Sequence, residues 1–130
     1  MATLSLEQIT LLFPQQASWE ERYRQLILLG KQLEKPKDLT DIPLIPGCES
    51  ALWFQILPQS DGSLQFKAYS EARILKGLLV ILLAVIEGKT AEQLKSLDFN
   101  ALLAQLGLDQ RLSNTRLNGF KTIEQQLRNL

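Results

Sequence analysis

Apolar and polar positions follow two different periods along this chain, and the switch between them outlines the fold. Trp19, Tyr23, Leu26, Ile27, Gly30 and Leu33 recur at steps of three and four behind Ser18-Trp19-Glu20-Glu21, whose spacing is that of a helix-capping box. A helix is therefore expected from Ser18 to about residues 32–34. A shorter one is predicted over 5–13, stopped by Pro14, because the residue before a proline is biased away from helix. Apolar and polar residues then roughly alternate over 51–57 and 64–69, with Ser60-Asp61-Gly62-Ser63 supplying turn chemistry between them. Two antiparallel strands follow from that. Residues 35–46 carry three prolines and read as irregular, with at most a short edge strand over 42–45.

Helical spacing returns after the hairpin. Ser70 is placed to cap a long apolar helix through Ile86, and Gly88 to close it. Thr90 and Asp98 each open a short segment, 90–97 and 98–106, the second ended by Gly107, and Ser113 opens a terminal amphipathic helix through Leu127. Helices, a small sheet and helices again, with no internal repeat, predict one α+β domain over 1–130: an antiparallel sheet of about three strands packed against several helices.

Composition narrows the chemistry. Acidic and basic residues cancel at 14 each, and no basic cluster interleaves with aromatics, so neither nucleic acid nor an anionic membrane is an expected partner. The apolar run over 74–86 is interrupted by Lys76 and is shorter than the ~20 residues of a membrane span, which makes it a core helix. The first seven residues lack the basic and apolar regions of a secretory signal, and a cytoplasmic location is expected. There is no histidine and one cysteine, Cys48. An internal disulfide, the common zinc and iron sites, and Ser-His or Cys-His catalysis are thereby excluded.

Cys48 lies between Pro46-Gly47 and Glu49-Ser50, in a turn-prone segment rather than at an inward position of a helix or strand. Loops display reactive groups, and Gly47 gives the backbone freedom to move the thiol. A strand of seven residues carries the chain about 23 Å away and the hairpin returns it, so the helix opening at Ser70-Glu71 should start at the same end of the sheet as Cys48. Its free N–H groups would favour a thiolate, with Glu71 competing for them. On the residues alone, a displayed nucleophile and a small buried hydrophobe both stand as readings of Cys48. Other candidates are weaker: Glu20 and Glu21 suit a first helical turn, and Gly77 and Gly88 lack the spacing of a phosphate loop. Arg116 sits in the first turn of the last helix, where a cation is mildly unfavourable, which marks it as a candidate for an anion or carboxylate.

Ile45-Pro46-Gly47-Cys48-Glu49-Ser50 with Leu52-Trp53 resembles the cysteine loop of the SufE and CsdE family of sulfur acceptor proteins. Trp19-Glu20-Glu21-Arg22-Tyr23 resembles the family's first long helix. Ser70-Glu71-Ala72 with Lys76-Gly77-Leu78-Leu79 is similar to its central helix, and Leu106-Gly107-Leu108, Arg116 and Asn118-Gly119 to its C-terminal signature. The resemblance implies a SufE-like fold, similar to that of IscU-type scaffolds. It also implies a persulfide carrier that takes sulfur on Cys48 from a SufS- or CsdA-type cysteine desulfurase, stimulates it, and hands the sulfur to an iron–sulfur assembly scaffold or another acceptor. Such a carrier is an accessory protein, monomeric or weakly dimeric, and needs no cofactor or metal of its own; pyridoxal phosphate belongs to the desulfurase. Gly47, Glu49, Ser50, Trp53, Glu71 and Arg116 are the implied loop and interface residues. Two alternatives remain: a regulatory interaction module with a structural cysteine, and a small thiol-dependent redox enzyme, which would lack the usual CxxC or resolving cysteine.

Overall fold

The first helix forms because Ser5 satisfies both of its own capping bonds: its Oγ accepts from the Gln8 N–H at 3.1 Å, and Gln8 Oε1 accepts from the Ser5 N–H at 2.9 Å. In the computed structural model, which describes residues 4–46, 50–109, 112 and 114–130, this helix is α1 (Leu6–Leu12), and it ends just before Phe13 and Pro14. Ser18 Oγ accepts from the Glu21 N–H at 3.2 Å and starts α2 (Trp19–Gly30). The helix stops short of the expected 32–34. Lys31, Gln32 and Leu33 donate instead to the carbonyls three residues back, the tightened final turn that satisfies orphan carbonyls.

β1 (Leu52–Pro58) and β2 (Leu64–Ser70) pair antiparallel, with Leu52 opposite Ser70, Trp53 opposite Tyr69 and Pro58 opposite Leu64. Gly62 takes φ +88° in the turn, and Asp61 accepts from both the N–H and the hydroxyl of Ser63, at 2.9 and 2.6 Å. The expected third strand is reduced to one bridge, Leu44 with Trp53. It is held by the Ile45 N–H donating to the Leu52 carbonyl at 2.8 Å and the Phe54 N–H to the Pro43 carbonyl at 3.1 Å. Pro43 has no N–H to return to the Phe54 carbonyl, so the ladder stops on that side of the bridge. The sheet is thus two-stranded within an α+β fold.

The long apolar segment is α3 (Arg73–Ile86), and it is the centre of the core. Leu78, Leu79 and Ile81 have no exposed surface, each burial contributing roughly 1.5–3 kcal/mol. α2 lies across α3 at two glycines: a Cβ on Gly30 would come within 2.8 Å of the Gly77 nitrogen. Gly88, at φ +77°, follows the helix as expected. α4 (Ala91–Leu94) opens with a Thr90–Gln93 capping box, α5 (Phe99–Gln105) with Asp98 accepting from the Ala101 N–H at 3.0 Å, and Gly107 closes α5 at φ +72°. The 90–97 segment is helical for one turn only. α6 (Asn114–Arg128) completes the chain and packs Phe120 on Phe99, ring centroids 5.3 Å apart. Its expected cap, Ser113, lies outside the described residues. Among the described residues no helix is long and apolar enough to cross a membrane.

Candidate functional site

Cys48, Gly47 and Glu49 lie outside the described residues, so the site is built from what flanks them: Pro46 on one side and Ser50 on the other. The chain enters this segment at Ile45, bonded to the Leu52 carbonyl, and leaves it at Ala51, whose carbonyl accepts the Ser70 hydroxyl at 2.7 Å. Five residues, 46–50, therefore span between two points, Ile45 and Ala51, tied to the same end of the hairpin.

At that end the start of α3 meets Ser50. Ser50, Ala72, Arg73, Ile74 and Leu75 line a cavity of about 250 Å³ together with Tyr23 of α2 and Arg116 of α6. Four separate elements contribute, as the antiparallel return of the hairpin predicts. A larger cavity of about 490 Å³ lies between the 32–36 segment, β2 and α3, away from Ser50. Tyr23 is half-buried and meets Trp19 edge-on at 6.2 Å, which orients the ring one turn into α2. Two arginines face a cavity at the amino-terminal end of a fourteen-residue helix, where backbone N–H groups and the helix dipole also favour negative charge. Chemically the cleft suits a thiolate, a persulfide or a partner's carboxylate.

Two expectations about this end need correction. Ser70 does not cap α3; it is the last residue of β2, fully buried, and its hydroxyl donates to Ala51 and accepts from the Ala72 N–H at 3.2 Å. Such a bond to the residue two ahead is a serine turn, and it delays the helix to Arg73, with Ala72 as an N-cap that makes no side-chain bond. Glu71 consequently falls outside the first turn and does not compete for its donors. Its carboxylate approaches Lys35 Nζ at 3.9 Å, both side chains exposed.

The sequence candidates thus divide. Ser50 and Arg116 share the cleft. Trp53 and Glu71 do not line it. Trp53 packs on Tyr69 across the hairpin at 6.2 Å, on the face opposite Leu52 and Phe54, where Lys35 and Lys76 approach the Tyr69 ring at 6.0 and 5.2 Å. Exposed Leu44 bridges to Trp53 beside them. Sequence reasoning missed Tyr23 and Arg73 as cleft residues. Tyr23 was legible only as a core-facing helical position, and Arg73 became visible once the helix start moved to it. Among the described residues no three cysteine, aspartate or glutamate side chains gather as metal ligands would.

The family profile for "SufE: Fe-S metabolism associated domain" matches residues 7–130. The chain belongs to the SufE family. It is 49% identical over 118 residues to an uncharacterized SufE-like protein of Haemophilus influenzae, covering 89% of this chain and 94% of that one. It is 38% identical over 127 residues to the sulfur acceptor protein CsdE of Escherichia coli, covering 96% of this chain and 86% of the relative. A solution structure of a hypothetical protein from Thermus thermophilus superposes with a TM-score of 0.72 at 18% identity, over 99% of this chain and 94% of that one, and shares the fold. The SufE-family fold therefore brings the cleft and the flanks of Cys48 together at one end of the hairpin.

Proposed function

We propose that this protein is a sulfur acceptor and carrier that works with a cysteine desulfurase in iron–sulfur metabolism, with Cys48 as the accepting residue. The single observation that carries the reading is the basic cleft of Ser50, Arg73 and Arg116 at the start of α3, two residues from the chain's only thiol. Covalent geometry keeps the Cys48 Cα within about 7 Å of Ser50. Membership of the SufE family and likeness to a relative named as a sulfur acceptor support the same assignment.

In this reading the Cys48 thiolate attacks the outer sulfur of a persulfide on the desulfurase. The bond between the two enzyme-borne sulfurs breaks, the enzyme's cysteine leaves as a thiolate, and Cys48 becomes the persulfide. The thiolate and the persulfide are both anions, and Arg73, Arg116 and the amino-terminal N–H groups of α3 lower the energy of each. Nothing else is asked of this chain. Pyridoxal phosphate stays with the SufS- or CsdA-type partner, whose turnover rises because its product sulfur is removed. The carried sulfur passes to an iron–sulfur scaffold or another acceptor, in the cytoplasm.

Cys48→Ser decides between this and an interaction module with an inert cysteine. The variant should fold and bind the desulfurase yet no longer raise its turnover; retained stimulation would mean that docking alone activates the enzyme. A self-sufficient thiol redox enzyme would instead turn over without any desulfurase present.

A further inference from the structure

Among the described residues, Ser70 is the one buried polar side chain, and it stands at the base of the cysteine-bearing segment with no exposed surface. We propose that Ser70 is a positioning residue for Cys48: its hydroxyl locks the outgoing foot of the 46–51 segment to the start of α3. The inference rests on the carrier reading and extends it to a residue outside the cleft lining.

The hydroxyl has one proton, and it goes to the Ala51 carbonyl at 2.7 Å. A lone pair accepts the Ala72 N–H at 3.2 Å. Donor and acceptor capacity are used at the same time, so the rotor is fixed and three backbone points, Ala51, Ser70 and Ala72, move as one. Ser70 itself is held opposite Leu52 by strand pairing, and the Leu52 carbonyl in turn accepts the Ile45 N–H at 2.8 Å. The incoming and outgoing feet therefore converge on one rung of the hairpin. The outgoing foot at Ala51 is thereby fixed relative to Arg73 and the first turn of α3.

The test compares wild type, Ser70→Ala and Ser70→Thr in three ways: far-ultraviolet circular dichroism, alkylation of Cys48 by iodoacetamide across the thiol's titration without desulfurase, and sulfur acceptance with desulfurase and cysteine. Ser70→Ala should keep the native spectrum, change the alkylation rate by about threefold or more with a displaced pH midpoint, and lower the kcat/KM of sulfur acceptance about fivefold or more. Ser70→Thr, which keeps the hydroxyl, should restore both. Wild-type behaviour of Ser70→Ala in both reactions, or a threonine variant no better than alanine, would overturn the proposal. Hydrogen exchange on the wild type gives a reading that needs no variant: the Ala72 amide should be protected, and free exchange there would overturn the proposal even if Ser70→Ala failed to fold. Alkylation judges Ser70 without the enzyme, so a wild type that takes up no sulfur would sink the carrier reading and leave the Ser70 result standing.

Discussion

Gly77 of α3 is pressed against Leu26 of α2: a Cβ built on Gly77 would be driven into the Leu26 carbonyl oxygen and come within 2.8 Å of its Cγ and Cδ1. Backbone and a fully buried leucine cannot give way cheaply. Gly77→Ala should therefore destabilise the fold by about 1–3 kcal/mol, despite alanine's better helix propensity. Because Tyr23 lies one turn before Leu26 and lines the cleft, sulfur acceptance should fall as well. Urea unfolding checks the first effect; an alanine variant as stable as wild type would contradict the close crossing.

Arg116 reaches the cleft from α6, while Arg73 reaches it from α3. Arg116→Ala removes one of the two arginines that line the cleft among the described residues, and sulfur acceptance should drop about fivefold or more, beyond what any loss of global stability explains. Sulfur-labelling kinetics beside a thermal melt separate the two effects. Equal losses in both would make Arg116 a structural residue.

Much of this arrangement is legible in the residues themselves. The helix starts at Ser5, Ser18 and Thr90, the turn at Asp61-Gly62 and the closing glycines Gly88 and Gly107 each have a local cause and sit where the sequence puts them. The failures are non-local. Ser70 has the composition of an N-cap, and only pairing with Leu52 and the approach of the Ala51 carbonyl turn it into a strand end that delays the helix. Residues 42–45 have strand-like character, but Pro43 stands where an N–H would have to donate to Phe54, and the ladder is cut to the Leu44 bridge. Tyr23 and Arg116 are ninety-three positions apart, and nothing local signals that they share a cavity.

Trp53 offers a reporter on this surface. The chain has two tryptophans, and Trp19 packs at 6.2 Å on Tyr23 well away in sequence. Trp19→Phe keeps an aromatic ring there and should cost under about 1.5 kcal/mol. It leaves Trp53, half-buried on Tyr69 and bridged to Leu44, as the sole indole. Its emission should shift when a desulfurase quenched of its own tryptophan signal is added, because docking around Cys48 would cover this flank of the hairpin. Unchanged emission in a complex verified by sedimentation would place the contact elsewhere.

Glu124 tests the electrostatics of the packed end of α6. Burial raises its carboxyl above the ordinary 4.5, opposed by the Phe99 N–H and Arg128 and reinforced by Asp98. A raised folded-state value means that the native protein holds this proton more tightly than the unfolded chain, so the ionised carboxylate counts against stability above that value, and the penalty disappears as pH falls toward 4.5. Glu124→Gln keeps an oxygen for the Phe99 N–H and cannot ionise. It should be as stable as wild type or more so at neutral pH, with the difference closing on acidification. A variant that loses ground only at neutral pH would mean that the 3.8 Å contact with Arg128 outweighs burial.

The most direct measurement follows one sulfur atom. The wild-type protein is incubated with a cysteine desulfurase and cysteine, digested without reductant, and the peptide containing Cys48 is weighed. The account predicts that this peptide gains the mass of one sulfur, that the gain needs both enzyme and cysteine, and that Cys48→Ser abolishes it. A desulfurase that is stimulated while the Cys48 peptide keeps its original mass would contradict the account.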